Sequence, residues 1–158
     1  MLGAFAVGKT SLVQRYVNSI FSEKYQTTIG VKIDQKMVRA GGKEVNLLLW
    51  DIHGEDNFQK VKASYLTGAS GYFIVMDGTR RDTLKVGLEL KNMADTVVKG
   101  VPYLVLVNKS DLKEEWEITD TDIADLKDMG IEVILTSAKE GTKVEEAFLR
   151  LTELMINK

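Results

Sequence analysis

The chain has 158 residues, of which 44% are hydrophobic and 28% are charged. This length supplies one sizeable core and is short for two, so we expect a single domain over residues 1–158. A formal net charge of −2 excludes the global basic field that drives nonspecific binding to nucleic acid or anionic membrane. The absence of cysteine excludes disulfides, thiolate metal sites, thiol catalysis and a prenyl or palmitoyl anchor in this sequence.

Hydrophobic residues are spread along the chain in short runs. No apolar run approaches the ~20 residues that cross a bilayer, and the first residues lack the order of a signal peptide. We therefore expect a soluble, cytoplasmic protein.

The first motif, residues 3–10, reads GAFAVGKT. Its spacing, Gly-x4-Gly-Lys-Thr, is that of a phosphate-binding loop, in which backbone N–H groups surround phosphate oxygens at the start of a helix. Lys9 then reaches the β and γ phosphates, and the Thr10 hydroxyl ligates Mg²⁺. The alternative is a glycine turn that caps a helix. The residues assigned to nucleotide binding here are Gly3, Ala6, Val7, Gly8, Lys9, Thr10 and Ser11.

The following elements indicate an α/β fold. Val31–Ala40 and Lys43–Ile52 flank Gly41 and Gly42, which predicts an antiparallel hairpin. Apolar runs at 72–76, 103–107 and 131–135 predict buried parallel strands, and helical patterns lie between and after them. Thr142 and Glu145 stand in capping-box register before the last helix.

The predicted architecture is the three-layer sandwich of P-loop NTPases, with a mostly parallel six-stranded sheet and one antiparallel edge strand. Ligands of such a sheet bind at the carboxyl ends of its strands. Because only Met1 and Leu2 precede the phosphate loop, we expect the first strand to be truncated in this sequence.

Two loops after predicted strands favour guanine as the base. Residues 108–111 read NKSD, and Asp111 can accept two hydrogen bonds from guanine N1–H and its amino group, which adenine does not offer. The Lys109 stem can cover the ring, and a backbone N–H of the second loop, residues 136–139 (TSAK), can reach O6. An ordinary polar turn is the alternative. The residues assigned to the base are Asn108, Lys109, Asp111, Ser137, Ala138 and Lys139.

These motifs, together with FSEKYQTTIGV and LLLWDIHGEDNF between them, resemble the Ras superfamily of small GTPases, and most closely its Rab branch. The resemblance implies a switch that binds GTP or GDP with Mg²⁺ and hydrolyses GTP. It implies that Thr28 closes over Mg²⁺ and the γ phosphate, that Asp51 holds the metal through water, and that the Gly54 N–H senses the γ phosphate. The implied metal ligands are therefore Thr10, Thr28 and Asp51.

The resemblance also implies contacts for aromatic residues and for partner proteins. Phe21 falls where the family places an aromatic against guanine, and Tyr25 where a tyrosine covers the phosphates; the alternatives are core packing for Phe21 and plain exposure for Tyr25. Ile33, Trp50 and Tyr65 resemble the family's hydrophobic partner-binding patch, although Trp50 is also compatible with simple packing. Effectors, an exchange factor or a GTPase-activating protein are expected at residues 28–33 and 50–65.

Three residues depart from the family pattern. Phe5 replaces a small residue of the phosphate loop, and its ring is expected to crowd the γ phosphate and the attacking water. Glu55 replaces the glutamine that orients this water, and a carboxylate beside a phosphate is unfavourable unless it is paired. His53 stands near the expected γ phosphate, where it contacts the phosphate, compensates the charge of Glu55 or faces solvent.

Two functions follow from these departures. One is a switch with slow hydrolysis, in which Lys9, Thr28, Gly54 and Glu55 are the catalytic candidates. The other is a pseudo-GTPase module that holds guanine nucleotide without turnover, as a domain of a larger protein. The family's flexible tail and terminal cysteines are not in this sequence, so we expect an excised domain, a shortened form or a cytosolic relative.

Overall fold

The computed structural model describes residues 1–24, 27–54 and 60–158. Within these ranges the chain forms six strands and four α-helices. The strands are β1 Leu2–Gly3, β2 Val31–Ala40, β3 Lys43–Ile52, β4 Tyr72–Asp77, β5 Tyr103–Asn108 and β6 Val133–Leu135. The helices are α1 Lys9–Asn18, α2 Asp82–Val97, α3 Asp120–Asp128 and α4 Val144–Ile156, with short 3₁₀ helices at Ala63–Leu66 and Lys113–Glu115.

The strands form a parallel sheet and an antiparallel pair. The parallel sheet has the order β1-β4-β5-β6, and β2 pairs with β3 along their whole length. The Met1 nitrogen donates to the Trp50 carbonyl at 2.9 Å, which joins the β1 edge to β3. The α/β class and its parallel sheet are confirmed, and the six expected strands are divided between two sheets because β1 is only two residues long.

Side chains of β4 and β5 alternate between two buried clusters, one on each face of the parallel sheet. This explains why both strands read as continuous apolar runs. Helices α1 and α4 cover one face, where Tyr16 stacks on Phe148 at 3.9 Å between ring centroids. Helices α2 and α3 cover the other through Leu90 and Leu126. The result is the expected three-layer arrangement.

The helix starts differ from the prediction at one point. Thr142 and Glu145 do not form a capping box: the N-cap of α4 is Lys143, in the left-handed region and without a side-chain cap. The Thr142 carbonyl instead accepts a hydrogen bond from the Ser137 N–H at 3.1 Å, which binds Thr142 into the preceding loop. A complete capping box occurs at α3, between Thr119 and Asp122.

No helix in the part of the chain that the structure describes is long and apolar enough to cross a membrane.

Candidate functional site

A cleft of about 730 Å³ opens at the carboxyl ends of the parallel strands. Its walls come from the phosphate loop, from the segment after α1, from the segment after β3 and from the two loops after β5 and β6. Most of the predicted binding residues line it together: Ala6, Gly8, Lys9, Thr10, Ser11, Phe21, Thr28, Gly54, Asn108, Lys109, Asp111, Ala138 and Lys139. Segments separated by more than a hundred residues thus meet in one place.

The remaining predicted residues lie behind this lining or outside the described chain. Gly3, Val7, Asp51 and Ser137 are buried beneath the cleft wall and support it. Tyr25 and Glu55 lie outside the described residues, so their expected roles stay predictions.

Gly8 brings the phosphate loop into direct contact with residues 108–111, the base loop. Its φ is +101°, and a Cβ at Gly8 would stand 2.3 Å from Asn108 Nδ2. Neither the conformation nor the space admits a side chain. Helix α1 begins at the next residue, and the first N–H groups of a helix have no partner within it. The loop therefore presents backbone donors and the positive end of the helix to the cleft.

The Lys9 ammonium is buried in this loop. Its Nζ donates to the carbonyls of Gly3 at 3.1 Å and Ala4 at 3.0 Å, and the residue is 6% exposed. Burial lowers the pKa of Lys9 from its ordinary 10.5 to about 8; Asp51 partly offsets this effect and Arg80 adds to it. A cation held at such a cost has a strong tendency to pair with an anion.

Three oxygen-bearing side chains stand next to Lys9. Thr10 Oγ1 lies 2.7 Å from Thr28 Oγ1 and donates to Asp51 Oδ2 at 2.6 Å. Asp51 Oδ1 is buried and has no hydrogen-bond partner among the described residues. Two oxygens bound side by side to one Mg²⁺ lie about 3 Å apart, so this spacing fits the ion. The orphaned carboxylate oxygen fits a metal-bound water.

The start of the segment after β3 packs against the phosphate loop. A Cβ at Gly54 would stand 2.4 Å from Phe5 Cα, so only glycine allows this approach. His53 is 7% exposed, with Nδ1 at 3.2 Å from the Gly30 carbonyl and Nε2 at 3.1 Å from the Lys60 carbonyl. The expectation of a solvent-facing His53 is wrong, because the ring is enclosed between these two segments.

Asn108 ties the base loop to its neighbours. It is 2% exposed, donates from Nδ2 to the Val7 carbonyl at 3.1 Å, and accepts at Oδ1 from the Ala138 N–H at 3.2 Å. Its side chain thus holds the phosphate loop and the TSAK loop in register. The backbone N–H of Ala138 thus donates its hydrogen bond to Asn108.

Lys109 and Asp111 have fixed partners as well. The Lys109 ammonium pairs with Asp77 Oδ2 at 2.6 Å, which leaves its stem against the cleft. Asp111 Oδ1 accepts a hydrogen bond from the Ser137 hydroxyl at 2.7 Å. The carboxylate that we expect to read the base is thereby oriented by the second loop.

This geometry can be compared with known proteins. The sequence profile of the Ras family matches residues 1–157. The chain belongs to the Ras family. It is 34% identical over 154 residues to the GTP-binding protein ypt1 of Schizosaccharomyces pombe, covering 96% of this chain and 76% of that protein. It is 33% identical over 160 aligned positions to the Ras-related protein Rab-4B of Homo sapiens and of Rattus norvegicus, covering 100% of this chain and 75% of each. The Rab-like resemblance is confirmed.

In this Ras family protein the predicted partner-binding residues do not share one environment. Ile33 and Trp50 are directly opposite each other in the hairpin and are 51% and 40% exposed. Leu48 and Met37 continue the same exposed face at 59% and 60%. Tyr65 is partly buried against the core between the sheet and α2. Trp50 is therefore not simply packed, and the exposed patch runs along the hairpin.

The position of Phe21 is compatible with both of its expected roles. It lines the cleft and also packs against the core between the sheet and helices α1 and α4.

Sequence reasoning missed two arginines that support the site of this Ras family protein. Arg15 of α1 donates to the carbonyls of Ala138 at 2.7 Å and Lys139 at 2.5 Å. Arg80, in the loop before α2, donates to the Phe5 carbonyl at 2.6 Å. Its neighbour Arg81 does lie at the surface, where it pairs with Asp122. Both missed contacts join distant segments, so no local pattern signals them.

A second groove of about 780 Å³ lies at the β6 edge against α4. It has a similar volume but is lined by charged side chains such as Lys143, Glu146 and Arg150. The chemistry of the lining, and not its size, identifies the first cleft as the candidate site.

Proposed function

We propose that this chain is a single G domain that binds GTP or GDP with Mg²⁺ and acts as a trafficking or signalling switch with slow GTP hydrolysis. The observation that carries the proposal is the shared cleft, in which a phosphate loop and a guanine-type base loop face each other and are tied by Asn108. Membership of the Ras family and the resemblance to ypt1 and Rab-4B support it.

In this proposal the phosphates bind at the N-terminus of α1. Lys9 exchanges the two loop carbonyls for phosphate oxygens, and the N–H groups of the loop donate to the same anions. The gain in binding free energy is large because the Lys9 ammonium is already desolvated before the nucleotide binds.

The metal is placed beside the phosphates. Thr10 and Thr28 would hold it directly, and Asp51 would hold it through water at the orphaned Oδ1. When bound, Mg²⁺ neutralises charge that develops on the phosphate oxygens. Thr28 reaches this place from the segment before β2, so its contact links nucleotide state to the conformation of that segment.

The base is placed between the loops after β5 and β6. Asp111, oriented by Ser137, accepts hydrogen bonds from guanine N1–H and its amino group. The Lys109 stem lies against the cleft, held by the ion pair with Asp77. The Phe21 ring lines the same cleft.

Slow hydrolysis is proposed because Phe5 lines the cleft and Glu55 replaces the expected glutamine. A positioned water attacks the γ phosphorus and the β–γ bridging bond breaks, with Lys9 stabilising charge on the phosphates. Single-turnover assays with protein in excess over GTP test this. We expect Phe5→Gly and Glu55→Gln each to speed GTP loss, while Glu114→Gln, at an exposed site outside the cleft, leaves it unchanged.

A second candidate is a guanine-nucleotide module without turnover, and the same Phe5 side chain in the cleft favours it. The assay separates the two candidates. If GTP stays intact in the unmodified protein and in both variants, the second candidate replaces the first.

We also propose that protein partners, such as effectors, an exchange factor or a GTPase-activating protein, bind the exposed face of the hairpin. That face carries Ile33, Met37, Leu48 and Trp50, adjoining the segments that contact the nucleotide cleft. Contiguous exposed apolar side chains of this kind mark protein-binding sites.

A further inference from the structure

The loop between β4 and α2 places one arginine against the phosphate loop. Arg80 donates from Nη2 to the Phe5 carbonyl at 2.6 Å and from Nε to Asp77 Oδ2 at 3.1 Å. Arg80 is not among the described residues that line the cleft, so it contacts the loop backbone from outside. Its contact is with a carbonyl and therefore acts on backbone geometry.

Arg80 is itself firmly anchored. Asp77 is fully buried and accepts from Arg80, from the Lys109 ammonium at 2.6 Å, and from the Thr79 N–H and hydroxyl at 2.9 and 2.7 Å. Burial alone would raise the pKa of Asp77, but hydrogen bonds from Lys109 and Thr79 outweigh it and hold this pKa below its ordinary value. The Arg80 carbonyl accepts from the Thr83 hydroxyl at 2.7 Å. The guanidinium thus has a charged, buried and fully hydrogen-bonded carboxylate as its support.

The contact with Phe5 sets the orientation of the next peptide. All described peptide bonds are trans, so the Phe5 carbonyl and the Ala6 N–H point in opposite directions. Since the carbonyl points to Arg80 outside the cleft, the Ala6 N–H points to the cleft side, which Ala6 lines. Ala6 has φ +60°, a left-handed conformation that strains a residue with a Cβ.

We propose that Arg80 is a positioning residue that clamps the Phe5–Ala6 peptide, so that the strained Ala6 presents its N–H to a nucleotide phosphate. Through Asp77 the same clamp connects the phosphate loop with Lys109 of the base loop. The role in binding rests on the proposed guanine-nucleotide function, whereas the clamp itself is a property of the folded chain.

GDP affinity of four variants tests the clamp. Arg80→Ala removes the charge-assisted hydrogen bond to the Phe5 carbonyl together with the one to Asp77, and it should weaken GDP binding about tenfold. Arg81→Ala is the matched control, because the side chain of this neighbouring arginine pairs with Asp122 at the surface and the variant keeps the backbone bond to Glu117, so its effect should stay within about twofold. Ala6→Gly removes the strain at φ +60°, so Arg80→Ala with Ala6→Gly should regain at least about threefold of the lost affinity.

The decisive readout is whether Ala6→Gly raises GDP affinity more in the Arg80→Ala background than in the unmodified protein, because a structural loss unconnected with Ala6 would give equal gains in the two backgrounds. An Arg80→Ala loss no larger than that of Arg81→Ala overturns the proposal, and so does a double variant as weak as Arg80→Ala alone. If Arg80→Ala does not fold, Arg80→Lys takes its place, because lysine keeps the charge beside Asp77 but not the fork that joins the two acceptors.

Thermal unfolding without nucleotide separates this proposal from the proposed function. Arg80→Ala should lower Tm by about 3 to 6 °C, Arg81→Ala by less than about 1 °C, and Ala6→Gly should restore part of the Arg80→Ala loss. If the unmodified protein fails to bind GDP, the proposed function fails while this comparison still tests the clamp. Equal Tm values for the two arginine variants overturn the clamp.

Discussion

The affinity for GDP should fall as pH rises above about 8, because Lys9 loses its proton there. In the free protein, burial holds the pKa of Lys9 at about 8 instead of the ordinary 10.5, with Asp51 and Arg80 as smaller, opposing influences. Phosphates beside the ammonium stabilise its charged form, so binding raises this pKa. Binding then takes up a proton at any pH between the two pKa values, and affinity declines with pH in that window.

The size of this effect follows from the pKa in the free protein. With a free pKa of about 8, GDP should bind about tenfold more weakly at about pH 9 than at about pH 7. Proton uptake on binding should be about a tenth of a proton at about pH 7 and about three quarters at about pH 8.5. Calorimetry in two buffers of different ionisation enthalpy measures both quantities on the unmodified protein.

Lys9→Arg is the matched control, because a guanidinium stays charged throughout this pH range. The GDP affinity of this variant should therefore not decline between about pH 7 and about pH 9. A GDP affinity that does not change with pH, together with no proton uptake on binding in the unmodified protein, would refute the reasoning. A decline of equal size in Lys9→Arg would also refute it, since another group would then be responsible.

Three further predictions concern the cleft and the hairpin. Gly8→Ala should lose more GDP affinity and stability than Gly42→Ala. Both glycines have a positive φ, but of the two only Gly8 would bring its Cβ against another residue, the Asn108 amide at 2.3 Å. Equal losses in calorimetry and thermal unfolding would contradict this contact. Asp51→Asn should make GDP release insensitive to EDTA, whereas EDTA should speed release from the unmodified protein; a variant that responds like the unmodified protein would exclude Asp51 from the metal site. Leu47→Ala should lower the free energy of unfolding by about 2–5 kcal/mol in chemical denaturation, and Leu48→Ala by less than about 0.5 kcal/mol. The reason is that Leu47 is 7% exposed and Leu48 is 59% exposed. Similar losses would show that the hairpin face that carries Leu48 is packed.

Much of the fold could be predicted because burial leaves a local pattern. Val31–Ala40 and Lys43–Ile52 form the hairpin within the predicted bounds, since the glycine pair between them marks its turn. The runs in β4 and β5 are continuous because both faces of those strands are covered. The residues predicted to bind phosphate or base follow the strands directly, so motif and fold supported each other.

What the sequence did not predict depends on contacts between distant segments. The predicted capping box at Thr142 does not form, because the Thr142 carbonyl accepts a hydrogen bond from the Ser137 N–H and the N-cap is Lys143. His53 was misplaced because its partners, Gly30 and Lys60, approach it only in the folded chain. The bond between Arg80 and Phe5 spans 75 residues, and no spacing rule predicts it.

Guanine specificity tests the central claim most directly. Fluorescent GDP should bind the protein in the presence of Mg²⁺, unlabelled GDP should displace it, and ADP at the same concentration should not, because Asp111 accepts two hydrogen bonds that adenine cannot donate. Asp111→Ala should abolish this preference while Asp125→Ala, a helix α3 carboxylate outside the cleft, preserves it. Equal displacement by GDP and ADP, or no binding of GDP at all, would contradict the account.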